Sequence, residues 1–502
     1  MPSKGIGLLG HLMHFCAWLL ALGLVFLAVS GGIAYVAAEP GGMLQGAYWE
    51  LALWYVLDIH AVLGLLVIVA AALYVPLRLA RRGMAGPGRA PRFPGKWAAL
   101  AALLVCLAAM RFVVESHPVL VHDRRTTDFP ASRFPDQVVL TWSGAPQTTQ
   151  TVQWRSAARA PEARLRYRPA GVEGAAAWQY QEAETVLLKD PYMINDPEVA
   201  RHTVSLTDLE PGATYTYQAG TGGIWSEPAQ FQTAPANADT FRFMYLGDAQ
   251  TGLDAWGGLL HDAYARHPEA AFCILAGDLV NRGGDRADWD AFFAGAGGVY
   301  DRCPLVPAIG NHDDDDPRGP WLYLDLFDLP DNGPEQVEPE RAYSFTYGTA
   351  FFVVLDSNLP PETQTDWLDQ QLASSRALWK IAVYHHPVYP SKPSRDNPEI
   401  RQEWAPLFDQ YGVDLALQGH DHAYMRTHPL RGGARVDTPA DGTVYVMAVS
   451  GTKFYEQELP EVAAIGFEDL QTYQMIDIAG RRLTYRAYDA GGQVVDELII
   501  RK

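Results

Sequence analysis

The chain has 502 residues, more than one typical domain holds. Its charge is uneven: eight Lys/Arg against four Asp/Glu give residues 1–117 a net charge of +4, so with −19 overall the remainder carries −23. That acidic remainder argues against nucleic-acid binding, which usually shows a basic face, and four cysteines without a CxxC pair argue against a zinc ribbon or a thioredoxin-like site.

In chain order, the apolar segments come first. No Asp, Glu, Lys or Arg stands between Lys4 and Glu39, a run longer than the ~20 residues that span a bilayer. A second span is expected at about 51–77, interrupted only by Asp58, and a third at about 97–114, where Arg111 sits near the end and can snorkel. The loop after the second span carries Arg78, Arg81, Arg82, Arg89, Arg92 and Lys96, whereas the loop after the first has no basic residue. The positive-inside rule places residues 78–96 in the cytoplasm, and three spans then put everything after 117 on the periplasmic or extracellular side of the cell membrane, whereas two spans would reverse this. His11, His14 and His60 fall within these spans, and their arrangement resembles loosely that of b-type cytochrome modules. Haem is the cofactor this would imply; the other reading is polar side chains packed between helices or near the headgroups.

Residues 118–236 read as short alternating strands separated by turns: "QVVLTWSG", "TVQWRS", "ARLRYRPAG", "HTVSLTDLEPGATYTYQAG" and "SEPAQFQTAP". The spacing predicts an all-β, fibronectin III-like sandwich, with Tyr215 or Tyr217 as a corner tyrosine. From 237 to 502 apolar strand-like runs alternate with helical stretches such as 363–376 and 399–410, which predicts an α/β domain. Cys273 and Cys303 lie on expected core strands, as two buried thiols or as a disulfide.

The apolar runs of this last part end in polar residues. "FRFMYLGD" closes on Asp248, "AFCILAGD" on Asp278, "PLVPAIGNH" on Asn311-His312, "WKIAVYHH" on His385-His386 and "VDLALQGHDH" on His420 and His422. In such folds ligands bind beyond the carboxyl ends of the strands. A lone GD or GNH is an ordinary turn, and HH can be a satisfied pair; five such ends in order form a set of oxygen and nitrogen donors suited to Zn, Mn or Fe. His420 and His422 are expected to point to one face of an extended segment. The donors are too many for one ion. Two ions sharing a carboxylate can clamp the attacking and leaving oxygens of a displacement at phosphorus, with a metal-bridging hydroxide as nucleophile.

The order GD…GD…GNH…H…GHxH resembles that of the calcineurin-like metallophosphoesterases. Together with "YSFTYGTAFFVVLDSN", "WLDQQL" and "WKIAVYHHPVYP", residues 118–500 resemble the purple acid phosphatase family. The resemblance implies a fibronectin-like domain at 118–236 and an αββα metallophosphatase sandwich at 237–502. It implies a dinuclear phosphoesterase acting on phosphate esters. One ion would be held by Asp248, Asp278 and His422, and the other by Asp278, Asn311, His385 and His420. His312 would contact the phosphate and protonate the leaving oxygen, and His386 would stand outside the ligand shell. Two departures stand out. Asn281 occupies the place of the tyrosine that colours the purple enzymes. Gln250, two residues after Asp248, occupies a place where many calcineurin-like relatives have His. Arg282, in "GDLVNRG", is a candidate phosphate clamp through its bidentate guanidinium, or else a surface ion pair. In "DDDDPRGP", Asp313 is expected to orient His312 and the following aspartates to be exposed. Trp321, Tyr323 and Phe327 are a leaving-group pocket or core packing. The alternatives of another class are a haem-bearing electron-transfer or sensor protein with an appended phosphatase domain, and a binding protein with a dead catalytic domain.

Overall fold

The computed structural model describes residues 125–159 and 162–502. The expected membrane spans and the histidines at 11, 14 and 60 lie outside the described residues. Among the described residues no helix is long and apolar enough to cross a membrane. Thr126–Asp190 and Glu198–Lys502 form one compact unit, and everything below belongs to it.

Two antiparallel sheets come first. One orders Asp136–Thr141, Gln150–Ala157, Glu198–Leu206 and Glu184–Lys189; the other orders Gln179–Glu182, Ala163–Pro169 and Thr214–Thr221, the last of which also pairs with Ile224–Trp225 and Ala229–Gln232. Strand side chains alternate faces, so Val152 and Trp154 meet Leu165, Val204, Leu206, Tyr215, Tyr217 and Phe231 in one core between the sheets. This is the expected sandwich. The Tyr215 hydroxyl accepts the Glu210 N–H at 3.0 Å, which makes Tyr215 the corner tyrosine. The Tyr217 hydroxyl instead donates to the Asp301 carbonyl at 2.8 Å, outside the sandwich. Arg155, buried, ties Asp136 to Asp290 with contacts of 2.7 Å to each. A buried charge held by two carboxylates is expensive to separate, so this contact fixes the sandwich on the α/β part.

The α/β part holds two sheets. The six-stranded sheet runs Leu305–Ala308, Cys273–Ala276, Thr240–Leu246, Thr472–Ala479, Arg482–Asp489, Val494–Arg501, with the first three strands parallel. The seven-stranded sheet runs Tyr343–Tyr347, Ala350–Val354, Trp379–Val383, Leu415–Gln418, Val444–Met447, Tyr424–Thr427, Ala463–Phe467, and the four from Ala350–Val354 to Val444–Met447 are parallel.

Alternation assigns the faces of the second sheet. Phe352, Val354, Ile381, Val383, Leu415 and Leu417 join the core shared with the first sheet, where Phe243 meets Phe352 edge-on at 5.3 Å. Val353, Ala382, Ala416 and Tyr445 point the other way, onto Trp367, Leu368, Trp404 and Phe408 of the helices Glu362–Ser374 and Pro398–Tyr411. The latter helix has Pro398 at its first turn and stops at Gly412 with φ 61°, a left-handed cap that glycine adopts freely. Helix Leu253–Arg266 lies against Thr472–Ala479 of the first sheet and stacks Trp256 on Phe292 of helix Arg286–Ala296. The layers are helix, sheet, sheet, helix. Cys273 and Cys303 are free and buried, and burial pushes the Cys273 thiol up to about 12.

Candidate metal centre

Every predicted ligand lies within a few residues of the carboxyl end of a parallel strand. Asp248 follows Thr240–Leu246, Asp278 follows Cys273–Ala276, Asn311 follows Leu305–Ala308, His385 follows Trp379–Val383, and His420 and His422 follow Leu415–Gln418. Parallel strands share one polarity, so these ends collect at one edge of the two-sheet core.

The backbone there is unusual. Asp248, Asp278, His420 and His422 have φ of 44°, 52°, 76° and 47°. Side chains other than glycine, and to a lesser degree Asn and Asp, avoid this region, and each such residue costs on the order of 1–3 kcal/mol. The two histidines are therefore not consecutive same-face positions of an extended strand, as the i, i+2 spacing suggested. They sit in a left-handed turn that sends them to different partners.

The neighbouring glycines have a steric cause more than a conformational one. Gly277 has φ 85°, and a Cβ there would come within 2.5 Å of the His385 ring. Gly310 and Gly419 are not left-handed, but a Cβ would strike the carboxylates of Asp278 and Asp248 respectively. Backbone must pass this close because the carboxylates are buried, Asp248 at 0% exposure and Asp278 at 1%.

Two donor groups result. In one, atoms of Asp278, His385 and His420 lie within 4.8 Å of one another; in the other, atoms of Asp248, Asp278 and His422 do. Asp278 belongs to both. The carbonyl oxygen of Asn311 is 3.2 Å from His385 Nε2 and 2.9 Å from His420 Nδ1, which adds it to the first group. His385 Nδ1 faces the Ala276 carbonyl at 3.0 Å, so that nitrogen carries the proton and Nε2 turns its lone pair inward. His422 Nδ1 faces the Lys453 carbonyl at 3.1 Å, with the same consequence for its Nε2. The six predicted ligands thus converge.

Electrostatics agree with the donor set. Burial pushes the Asp248 carboxyl well above its ordinary range, and the nearby Asp278 adds to it. For Asp278 burial acts the same way, but His385 and His312 together hold the carboxyl down at about 2. His385 is raised to about 9: burial opposes the charge and the Asp278 carboxylate overrides it. Burial, then the charge of Lys453, lowers His422 to about 3; burial, then His385, lowers His420 further. Without a cation the cluster is balanced by protons, one on His385 against the Asp278 carboxylate and a raised carboxyl at Asp248, and these are the places a cation would take over. The residues present therefore fit two cations, one per group, with Asp278 common to both.

Around this centre the loops are pinned. Asp421, wholly buried, accepts the Ser391 N–H at 2.7 Å and Arg395 Nε at 2.6 Å, and Arg395 also reaches the His420 carbonyl. Asp313 does not touch His312, contrary to expectation. Its oxygens accept the N–H groups of Leu279, Val280 and Gly310, which clamps the two ligand loops together. His312 is held otherwise, by its own N–H to Asp278 at 2.9 Å and by Nδ1 to the Asn281 carbonyl at 2.7 Å. Asp314 and Asp316 are paired with Arg341 and Arg318 rather than free in solvent. Arg282 is half-exposed, and its guanidinium is engaged by Asp285 and Asp288 at 2.6 Å each. His386 packs tilted against the His420 ring, 4.3 Å between centroids, and bonds Ser357, outside the two groups. Tyr323 and Phe327 are core. The carbonyls of Ala276 and Lys453, and Tyr455 packed on the His422 ring, carry no signal in the sequence.

Residues 135–233 match the purple acid phosphatase N-terminal domain, and residues 241–424 match the calcineurin-like phosphoesterase. The chain joins a purple acid phosphatase N-terminal domain to a calcineurin-like phosphoesterase domain. It is similar to an uncharacterized protein of Mycobacterium tuberculosis, 30% identical over 49% of this chain and 54% of that one. It is also similar to a probable inactive purple acid phosphatase of Arabidopsis thaliana, 26% identical over 54% and 50%. The chain thus spans about half the length of the curated relatives it matches. Among solved structures, the purple acid phosphatase PPD1 of yellow lupin superposes with a TM-score of 0.64 over 74% of each chain at 20% identity, a likeness of fold. Relatives of the phosphoesterase domain thus include one named inactive, which makes the state of this chain's own donor set the deciding matter.

Proposed function

We propose that the chain is a phosphoesterase working with two bound cations. In this reading Asp248, Asp278 and His422 hold one ion and Asp278, Asn311, His385 and His420 the other. Zn, Mn or Fe suits such carboxylate, amide and imidazole donors. The observation that carries it is Asp278, which alone among the described residues belongs to both donor groups.

Bound there, the cations would supply Lewis acidity toward phosphate and a water acidic enough to attack phosphorus. The chain's own residues do the rest. Asp278 belongs to both groups and takes the His312 N–H, so the loop bearing His312 is registered on the shared carboxylate. His312 Nδ1 is occupied by the Asn281 carbonyl, which leaves Nε2 to face the substrate. A proton carried on Nε2 would pass to the ester oxygen as its bond to phosphorus breaks, while the oxygen of a water that has already lost a proton to solvent bonds to phosphorus. We further place residues 1–117 in the cell membrane, with the catalytic part on the periplasmic or extracellular side.

The test uses the full chain purified in detergent. Wild type is expected to hold two ions per chain and to hydrolyse a chromogenic phosphomonoester or diester. Asp278→Asn, which removes the shared charge, should lose both properties while keeping the fold by circular dichroism. A wild type that takes up two ions and hydrolyses neither ester would favour the dead-enzyme alternative, and one that takes up none would sink the reading. Protease access from the periplasmic or extracellular side checks the orientation.

A further inference from the structure

One side chain at the centre belongs to neither group above and is not satisfied where it lies. Gln250 is buried, at 3% exposure. Its backbone N–H donates to the Asp278 carbonyl at 3.0 Å, so the residue rides on the loop of the shared aspartate. Its side-chain Nε2 lies 3.0 Å from Asp278 Oδ2 and 2.8 Å from His422 Nε2. Its Oε1 is buried and meets no hydrogen-bond partner.

The two ends of a carboxamide differ only by which atom is called oxygen, and the surroundings decide between them. Here the outer end meets no polar partner, so only the inner end can choose. Without a cation the choice is plain: His422 Nε2 has a lone pair, because Nδ1 gives its proton to the Lys453 carbonyl, and an inward N–H satisfies it. When His422 Nε2 and Asp278 Oδ2 give their lone pairs to a cation, an inward N–H would point its positive end at that cation. Turning the amide over removes the conflict and aims Oε1 at the same point as the other donors. It also raises that group from three protein ligands to four, matching the four of Asp278, Asn311, His385 and His420.

We propose that Gln250 is a metal ligand, binding through Oε1 after a turn of its amide, and that it biases this one ion toward manganese or magnesium over zinc. The selectivity follows from the donor set: two carboxylates and an amide oxygen with a single imidazole are mostly hard oxygens, which suit Mg and Mn. The inference rests on the two-cation reading above.

The test measures metal binding. Chelator-stripped full chain in detergent is titrated calorimetrically with Mn2+ and, separately, with Zn2+, for wild type, Gln250→Leu and Gln250→His. Wild type should take up two Mn2+. Gln250→Leu should bind one of them roughly tenfold or more weakly, leaving the other unchanged, and Gln250→His should shift that same ion's preference toward Zn2+. Gln250→Leu with both Mn2+ constants as in wild type, or with tighter binding as an inward N–H would predict, overturns the proposal. Should the leucine variant fail to fold by circular dichroism, Gln250→His carries the test alone: an unchanged Mn2+/Zn2+ preference then overturns it. A wild type that binds fewer than two ions is a different failure, that of the two-cation reading.

Discussion

His312 and Asn281 are locked together: the imidazole Nδ1 lies 2.7 Å from the Asn281 carbonyl oxygen, one strand end reaching across to the next. A carbonyl accepts only, so Nδ1 bears a proton and the ring's chemistry is left to Nε2. The same ring's backbone N–H sits on Asp278, which places its acid–base chemistry beside the shared carboxylate.

His312→Ala should therefore separate chemistry from metal binding. The backbone bond to Asp278 survives the substitution, so metal content should stay at the wild-type level. Removing a positioned acid costs about 10²–10⁴-fold in turnover. Ester substrates with very good leaving groups need no proton and should lose least. Equal losses for good and poor leaving groups would refute the assignment.

Arg282→Ala tests the alternative reading of that residue. Its guanidinium is already engaged by Asp285 and Asp288, at the start of helix Arg286–Ala296. Asp285 is buried and Asp288 largely so, and these two carboxylates compete with the roughly 1.5–3 kcal/mol that a charge-assisted bond to phosphate is worth. KM should thus change by less than about threefold. A tenfold rise in KM would show that Arg282 leaves its carboxylates to hold substrate.

Glu340 sets a pH dependence away from the centre. Burial raises its carboxyl from 4.5 to about 7, with the charges of Asp328 and Asp331 adding to the rise. Between those two values the native state holds a proton that the unfolded chain has lost. Stability from this group is therefore complete below about pH 4.5 and falls as pH rises through 7. Glu340→Gln keeps the Leu329 N–H contact and stays neutral, so it should flatten the slope. Relative to wild type it should gain about 1–2 kcal/mol between pH 5 and 8, after allowing for solvent screening. Urea midpoints at the two pH values check this; identical shifts for both proteins would refute it.

Colour tests the substitution at 281. With Asn281 in the tyrosine's place, ferric-loaded protein should show no visible tyrosinate band. Asn281 is exposed, and the Tyr245 hydroxyl is taken by the Gln418 carbonyl. A purple protein would point to Tyr455, the ring packed on His422.

Much of this was legible in the sequence because it is local or periodic. Apolar runs ending in GD, GNH, HH and GHDH announce parallel strands and the donors at their ends, and alternation in 118–236 announces a sandwich. The tertiary structure decided what depends on contacts between distant segments. Nothing local says that Asp313 clamps loops rather than orienting His312, or that Tyr217 reaches the Asp301 carbonyl outside the sandwich. The i, i+2 spacing of His420 and His422 misled because it presumes an extended backbone. The buried Asp248, which takes the His420 N–H, and the close passage of Gly419 belong to a left-handed turn instead. Residue types fix which atoms can donate or accept; where those atoms meet, and which end of an amide faces inward, is set by packing that only the folded chain possesses.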